Sequence, residues 1–247
     1  MQRYFVDFEI QPHETFTVTG QNFQHLVRVM RAKVNDCAEF VSSDHLVYVG
    51  RIQALTTHEA VLLAENRLEA QVELPLEVTI ACGLPKGDKA EFIVQKGTEL
   101  GARHFTFLPT QFSVAKWPAN KVDRKLDRLQ KIAHAAAEQS HRTFIPTVSY
   151  ANSLKTLIKQ PMQFKIVAYE ESAKQGEHTK LHQEIMKMQT ANSVLALFGP
   201  EGGLAGQEVQ TLEEAGFVSV GLGPRILRAE TAPLYLLSAI SVFKEMR

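Results

Sequence analysis

Residues 199–204 (GPEGGL) and 221–233 (GLGPRILRAETAP) decide the fold of this chain, because each loop follows a short apolar run. The runs are residues 193–198 (SVLALF) and 217–220 (FVSV), and their length and bounding glycines are typical of buried parallel strands. Glycine after a strand lets the backbone turn sharply and approach a ligand. Ligands bind at the carboxyl edge of open α/β sheets. We therefore expect both loops to wall one pocket, largely with main-chain groups.

Neither loop carries a common nucleotide-binding motif. Residues 199–204 lack both the Gly-Lys-Ser/Thr ending of a phosphate-binding loop and the spacing of the dinucleotide fingerprint. A single glycine-rich turn is more often structural than functional, but the second loop places Arg228 and Glu230 beside a predicted helix start. We predict Thr231 as its N-cap and Pro233 in its first turn. Charges gathered there are costly to bury unless they are used, which favours a functional site.

The composition is that of an ordinary globular protein. The 247 residues are 45% hydrophobic and 22% charged, with a formal net charge of zero. The charge is uneven, since residues 1–74 hold six basic and ten acidic side chains and residues 85–142 hold eleven and six. Such a local basic excess is typical either of a nucleic-acid surface or of a solvated helix face.

Motifs for other compartments and for metals are missing from the sequence. Cys37 and Cys82 have neither CxxC nor zinc spacing, so we expect free thiols. No segment has the length of a signal peptide core or a membrane span, which predicts a cytoplasmic protein that does not enter a membrane. His178 and His182 are four residues apart but lack the glutamate of HExxH, and we expect a solvated helix and no metal.

The order of predicted elements indicates a β-rich module followed by an α/β domain. The module has strands at 4–8, 38–41, 47–52 and 60–64 and a helix at 21–30. After Pro75, strands alternate with helices, which favours a mostly parallel sheet. The strands are predicted at 76–82, 104–108, 165–169, 193–198 and 217–220, and the helices at 89–100, 122–140, 206–215 and 232–246; residues 175–187 are predicted as a loosely ordered crossover.

Basic residues recur at helical spacing in three places. The longest series falls within one stripe of the helix at 122–140, opposite an apolar face. It is typical either of a phosphate-contacting surface or of a soluble helix neutralised by acidic neighbours. The candidates for RNA contact are His25, Arg28, Arg31, Lys86, Lys89, Arg124, Arg128 and Arg142.

The two glycine-rich loops resemble the C-terminal signature of the SPOUT superfamily of RNA methyltransferases. Among its members, the chain resembles the RsmE family of 16S ribosomal RNA uridine-N3 methyltransferases over nearly its whole length. Residues 25–31 (HLVRVMR), 96–101 (KGTELG) and 136–140 (AAEQS) carry the rest of the resemblance. The chain departs from the family pattern at 111–113 (QFS), where Glu-Arg-Ser is frequent, and at His141, where glycine is frequent.

The resemblance implies a fold with two domains. Residues 1–72 would form a small PUA-like β-barrel that binds RNA. Residues 73–247 would form an α/β SPOUT methyltransferase domain with a mostly parallel sheet and a C-terminal trefoil knot. It further implies a homodimer in the cytoplasm, with S-adenosylmethionine bound in the knot and the 16S rRNA of the small ribosomal subunit as substrate.

On this resemblance we predict two groups of site residues. Arg228 would stabilise the deprotonated uracil or its phosphate, and Glu138 or Glu230 would orient or accept the proton. Two alternatives stay open: a SPOUT methyltransferase acting on tRNA or 23S rRNA, and a non-catalytic RNA-binding or assembly protein. The predicted cofactor-binding residues are Gly199, Glu201, Gly202, Gly221, Leu222, Gly223, Ile226, Leu227, Arg228 and Thr231.

Overall fold

The computed structural model describes residues 1–169, 179–190 and 192–246. Contacts between Cα atoms divide the chain into two compact units. The first consists of Met1–Glu73 and Glu138–Phe144. The second consists of Leu74–Ala137 and the described residues from Ile145 onward.

A five-stranded sheet forms the body of the first unit. Its strand order is β1-β3-β4-β5-β2, with β1 and β3 parallel and the other neighbours antiparallel. Tyr4, Phe40, Ile52 and Leu62 are buried in its core. The strands are β1 (Arg3–Phe5), β2 (Thr15–Val18), β3 (Cys37–Val41), β4 (Val47–Leu55) and β5 (Ala60–Leu68).

The helix predicted at 21–30 is not a regular α-helix. A single turn, α1 (Gly20–Phe23), continues into a π-helix over Gln24–Val29. Arg31 lies beyond its end with φ at 58°, in the left-handed region. The three-residue spacing of His25, Arg28 and Arg31 therefore does not correspond to one face of an α-helix, because the winding is wider and the backbone at Arg31 is left-handed.

The second unit is built on a six-stranded, wholly parallel sheet, which confirms the predicted α/β class. Its order is β11-β9-β10-β6-β7-β8. Cys82 of β6 lies opposite Phe198 of β10, and both are buried. The strands are β6 (Glu77–Gly83), β7 (His104–Leu108), β8 (Thr147–Tyr150), β9 (Phe164–Ala168), β10 (Ser193–Phe198) and β11 (Val218–Val220).

Helices connect the strands of this sheet. Lys180–Lys187 is helical with Leu181 and Ile185 buried, in a region predicted to be loosely ordered; His178 lies outside the described residues. Within the described ranges, no helix combines the length and the apolarity needed to cross a membrane. The helices are α2 (Lys89–Glu99), α3 (Ala119–Gln139), α4 (Leu154–Leu157), α5 (Lys180–Lys187), α6 (Gly206–Glu214) and α7 (Thr231–Lys244).

Candidate active site

A cavity of about 850 Å³ opens at the carboxyl ends of β9, β10 and β11 in the second unit. Both glycine-rich loops line it, from Gly199 to Leu204 and from Leu222 to Ala229. The end of β9 adds Tyr169, and the first residue of α2 adds Lys89. Three adjacent parallel strands thus deliver their loops to one concave site, as expected for the ligand edge of an α/β sheet.

The first loop is a tight turn in which backbone packs on backbone. The Gly203 amide donates to the Pro200 carbonyl at 2.8 Å. A Cβ on Gly199 would lie 2.8 Å from the Gly203 carbonyl carbon, and one on Gly202 would lie 2.9 Å from Cβ of Phe112. Real Cβ atoms essentially never lie that close to another heavy atom, so the close approach requires glycine at both positions.

The second loop leads directly into α7. Gly223 has φ at 91°, a conformation that side chains disfavour. The amides of Thr231 and Ala232 donate to the Arg228 carbonyl at 2.9 and 3.0 Å. The predicted N-cap is wrong: Glu230 occupies that position, and no side-chain hydrogen bond caps the helix. The loop backbone itself satisfies these two amides at the helix start.

Most of the predicted cofactor residues line this cavity. Gly221 and Thr231 are not among the lining residues: Gly221 is buried at the end of β11, and Thr231 begins α7. The lining residues among those predicted are Gly199, Glu201, Gly202, Leu222, Gly223, Ile226, Leu227 and Arg228.

Lys89 joins the two loops through ion pairs. Its Nζ lies 3.0 Å from Oε1 of Glu201 and 3.0 Å from Oε2 of Glu230. These contacts raise the pKa of Lys89, with Glu230 contributing most. Burial alone would raise the pKa of both carboxyls, but hydrogen bonding outweighs it and lowers them. For Glu201 the donors are the Lys86 amide, its own amide and Lys89, and for Glu230 they are its own amide and Lys89.

Two further cations border the cavity. Arg225 and Arg228 both line it and are exposed. The sequence singled out Arg228 but missed Arg225 and the role of Lys89 in the cavity wall. The only available signal for Lys89 was its position just after the end of β6, at the same edge of the sheet.

Glu138, the other predicted catalytic residue, belongs to the first unit and is not among the residues that line this cavity. Burial raises the pKa of its carboxyl to about 7, against a smaller lowering by the Phe5 amide. Burial and the Glu138 charge together raise the pKa of Tyr4 to about 12. The Tyr4 hydroxyl lies 3.0 Å from Nδ1 of His25, so this predicted RNA-binding histidine forms a hydrogen bond with a core tyrosine.

Comparison with known proteins identifies the family. A family model described as an RNA methyltransferase domain matches residues 72–241. The ribosomal RNA small subunit methyltransferase E of Bacillus subtilis is 43% identical, covering 100% of this chain and 98% of its own length. The chain belongs to the small subunit methyltransferase E family. A Synechocystis member is 33% identical over 94% of this chain and 74% of its own length.

Solved structures share the architecture of this methyltransferase E chain. The crystal structure of a hypothetical protein has a TM-score of 0.90 at 40% identity and covers 99% of both chains. The methyltransferase E of Neisseria gonorrhoeae, bound to S-adenosyl methionine, has a TM-score of 0.84 at 27% identity and covers 98% of both.

In this methyltransferase E chain, Arg142 is not available to RNA, contrary to the prediction. Its side chain is 2% exposed and pairs with the Glu73 carboxylate, which also accepts a hydrogen bond from the Thr143 amide at 2.9 Å. The pair lies within the first unit. His141 has φ at 55°, the left-handed conformation that suits the glycine frequent there in the family.

The other predicted RNA contacts differ in accessibility. Arg128 is exposed but pairs with Glu91 at 2.8 Å. Lys89 is held in the cavity wall, as described above. Exposed side chains are found at Arg28 and Arg31 in the first unit and at Lys86 and Arg124 in the second.

Proposed function

We propose that this chain transfers a methyl group from S-adenosylmethionine to N3 of a specific uridine in the 16S rRNA of the small ribosomal subunit. Family membership and the name of the Bacillus subtilis relative support the rRNA substrate. The observation that carries the proposal is the convergence of both glycine-rich loops on one cavity. The Neisseria gonorrhoeae relative, solved with S-adenosyl methionine, supports the choice of cofactor.

The cavity fits a cofactor of this size and chemistry. Its volume of about 850 Å³ lies within the usual range for small-molecule sites. Close backbone packing at Gly199 and Gly202 leaves main-chain groups and apolar side chains to form much of the wall. Leu222, Ile226 and Leu227 provide the apolar part, and Glu201 and Lys89 provide charge at the rim.

When bound, S-adenosylmethionine supplies a methyl group already activated by the positive sulfonium. The task of the protein is therefore alignment: the uridine N3 must be held about 3–3.5 Å from the methyl carbon and in line with the bond that breaks, which can lower the barrier by about 7 kcal/mol. The hydrogen bond from Gly203 to Pro200 in the first loop and those from Thr231 and Ala232 to Arg228 at the end of the second help to hold the walls for this alignment.

Uridine N3 carries a proton that must leave before it can act as a nucleophile. Arg228 lines the cavity as an exposed cation and is assigned the stabilisation of the uracil anion. Glu230 pairs with Lys89 and has a lowered pKa, which suits orientation better than proton acceptance. Glu138 stays a predicted alternative for the proton acceptor: burial raises its pKa to about 7, but it is not among the residues that line the cavity.

RNA binding is assigned to exposed cations in both units. In the first unit, proposed as a PUA-like barrel over residues 1–72, Arg28 and Arg31 are exposed. In the second, Arg124 lies on the exposed basic face of α3. Contacts of this kind reach phosphates, so binding should weaken steeply as salt rises. Equal affinity at low and moderate salt would contradict this assignment.

We extend the proposal to assembly and topology. On the SPOUT resemblance we propose a trefoil knot in the C-terminal part of residues 73–247 and a cytoplasmic homodimer. Apolar side chains on α7 support a dimer, since Tyr235 and Val242 are 40% and 50% exposed. Sedimentation of the purified chain tests the dimer directly, and a monomer at micromolar concentration would refute it.

The decisive experiment measures labelled methyl transfer from S-adenosylmethionine to unmodified small subunits, with free 16S rRNA and tRNA in parallel, followed by nucleoside analysis. Labelled N3-methyluridine from the subunit or its rRNA is the expected result. Label found in tRNA alone would show that tRNA, rather than 16S rRNA, is the substrate. Cofactor binding without transfer to any RNA would refute the proposed activity.

The role of Arg228 has its own test. Arg228→Ala should keep cofactor affinity within about threefold and lower the rate of transfer by about 10²-fold or more. Arg225→Ala is the matched control, because it removes a neighbouring exposed cation from the same wall. Full transfer by Arg228→Ala with normal cofactor binding would refute the assignment.

A further inference from the structure

We propose that Lys89 is a positioning residue of the cofactor cavity: by pairing with Glu201 and Glu230 together, it holds the two glycine-rich loops at the separation that S-adenosylmethionine binding needs. The inference rests on the proposed function and adds to it a residue predicted from sequence to contact RNA.

The geometry makes Lys89 a link between three segments. It begins α2, Glu201 lies in the loop after β10, and Glu230 closes the loop after β11 at the start of α7. Its side chain is 25% exposed, and those of the two glutamates are 27% and 18% exposed. The ammonium is therefore partly withdrawn from solvent between two carboxylates, an environment unlike that of a free phosphate-binding lysine.

The helix that carries Lys89 is itself firmly placed. Ile93 and Val94 of α2 are buried in the core of the second unit. Gly97 approaches the sheet so closely that a Cβ there would lie 2.7 Å from the ring of Phe105. The ammonium thus extends from a fixed element, so its two ion pairs restrain the loops rather than follow them.

Removal of the ammonium would change the sign of the interaction between the loops. Because both carboxylate oxygens lie 3.0 Å from one nitrogen, they are at most about 6 Å apart, a distance at which like charges repel appreciably. Backbone hydrogen bonds that do not involve Lys89 also lower the pKa of both carboxyls, which favours their ionised forms after its removal. Without Lys89 the loops would be pushed apart.

The two loops should not respond equally. Oε1 of Glu201 also accepts a hydrogen bond from the Lys86 amide at 3.0 Å, and this backbone contact survives any side-chain change at either lysine. Glu230 has Lys89 as its cross-loop ion-pair partner within the described residues. The loop over residues 221–230 should therefore loosen more than the loop over residues 199–204.

The test compares four proteins: the wild type, Lys89→Met, Lys89→Arg and Lys86→Met. Lys86 is the matched control, because it lies in the same turn, is exposed, and contacts Glu201 through its backbone amide, which a side-chain change leaves in place. Calorimetry measures S-adenosylmethionine binding. Hydrogen exchange of the ligand-free proteins measures opening of the two loops, and the salt dependence of RNA binding measures phosphate contacts.

We expect Lys89→Met to weaken S-adenosylmethionine binding about tenfold and to speed exchange over residues 221–230, with an unchanged salt slope for RNA. Lys89→Arg should restore cofactor affinity and the exchange rate, and Lys86→Met should alter neither of these two quantities. Unchanged cofactor affinity and exchange in a folded Lys89→Met protein would overturn the inference, as would a shallower salt slope as its main effect. Failure of the wild type itself to bind S-adenosylmethionine would instead overturn the proposed function.

Discussion

Substitution of Gly199 by alanine tests whether the backbone packing of the first loop sets the shape of the cavity. The added Cβ would lie 2.8 Å from the carbonyl carbon, 3.0 Å from Cα and 3.1 Å from the oxygen of Gly203. All three neighbours are backbone atoms, so no side-chain rotation can relieve the overlap. Ordinary contact requires the turn over residues 200–203 to shift by about 0.6 Å, which costs about 1–3 kcal/mol.

That cost is divided between folding and binding. A loop that keeps its native shape retains the strain and lowers the free energy of unfolding, whereas a loop that shifts displaces its lining residues, Gly199 to Leu204, and weakens ligand binding. We expect the shift to dominate because the loop is at the surface. The dissociation constant for S-adenosylmethionine should then rise by about 10- to 100-fold.

Calorimetric titration with S-adenosylmethionine and urea unfolding measure the two parts. Gly206→Ala is the matched control, because no atom lies within 4 Å of a Cβ there and the residue begins α6, where alanine is favourable. It should keep wild-type affinity and equal or slightly greater stability. A Gly199→Ala protein with both wild-type affinity and wild-type stability would refute the packing argument.

Three further predictions concern charge. Burial raises the pKa of Glu138 to about 7 from 4.5, so the native state holds a proton that the unfolded chain releases, and stability should fall as pH rises between these values. Glu138→Gln should remove that decline and raise the free energy of unfolding by about 1–2 kcal/mol at pH 8, after allowance for the partial solvation of the carboxyl. Urea unfolding at pH 5 and pH 8 measures this. Parallel pH profiles for the wild type and the variant would contradict the prediction. Arg142→Met leaves the Glu73 carboxylate without its buried cation and should lower the free energy of unfolding by about 2–4 kcal/mol. Arg128→Met, at an exposed ion pair, should lower it by less than about 0.5 kcal/mol. Equal losses would refute the argument that burial makes the Arg142 pair the more important one. Arg124→Ala should reduce the salt slope of RNA binding by about one unit, and an unchanged slope would remove Arg124 from the RNA surface.

Strands with continuous burial could be predicted from the sequence almost to the residue. The observed bounds of β10 (Ser193–Phe198) and β7 (His104–Leu108) are those predicted, because both strands are mostly apolar and are buried after their first residue. The short strands β2 and β8 were missed. Each has four residues, of which two are exposed threonines or serines, and pairing with a distant strand holds it in the sheet.

The cavity was predictable from local pattern, but its charged contacts were not. Glycine-rich loops after apolar runs indicate the ligand edge wherever the strands come to lie. Lys89 and Arg142 both had the appearance of exposed basic residues on helices. Their carboxylate partners lie far along the chain, so only the folded arrangement shows that one fixes two loops and the other is buried.

Cys82 gives this protein a built-in reporter of its own opening. The thiol lies in the middle of the parallel sheet, 2% exposed, and burial raises its pKa well above the usual range. A thiol reagent can reach it only when the core around it opens, whereas Cys37 is partly accessible in the native state. The rate at which Cys82 is alkylated therefore measures how often this core opens transiently. Slower alkylation of Cys82 in the presence of S-adenosylmethionine would show how far a ligand at the sheet edge reduces this opening.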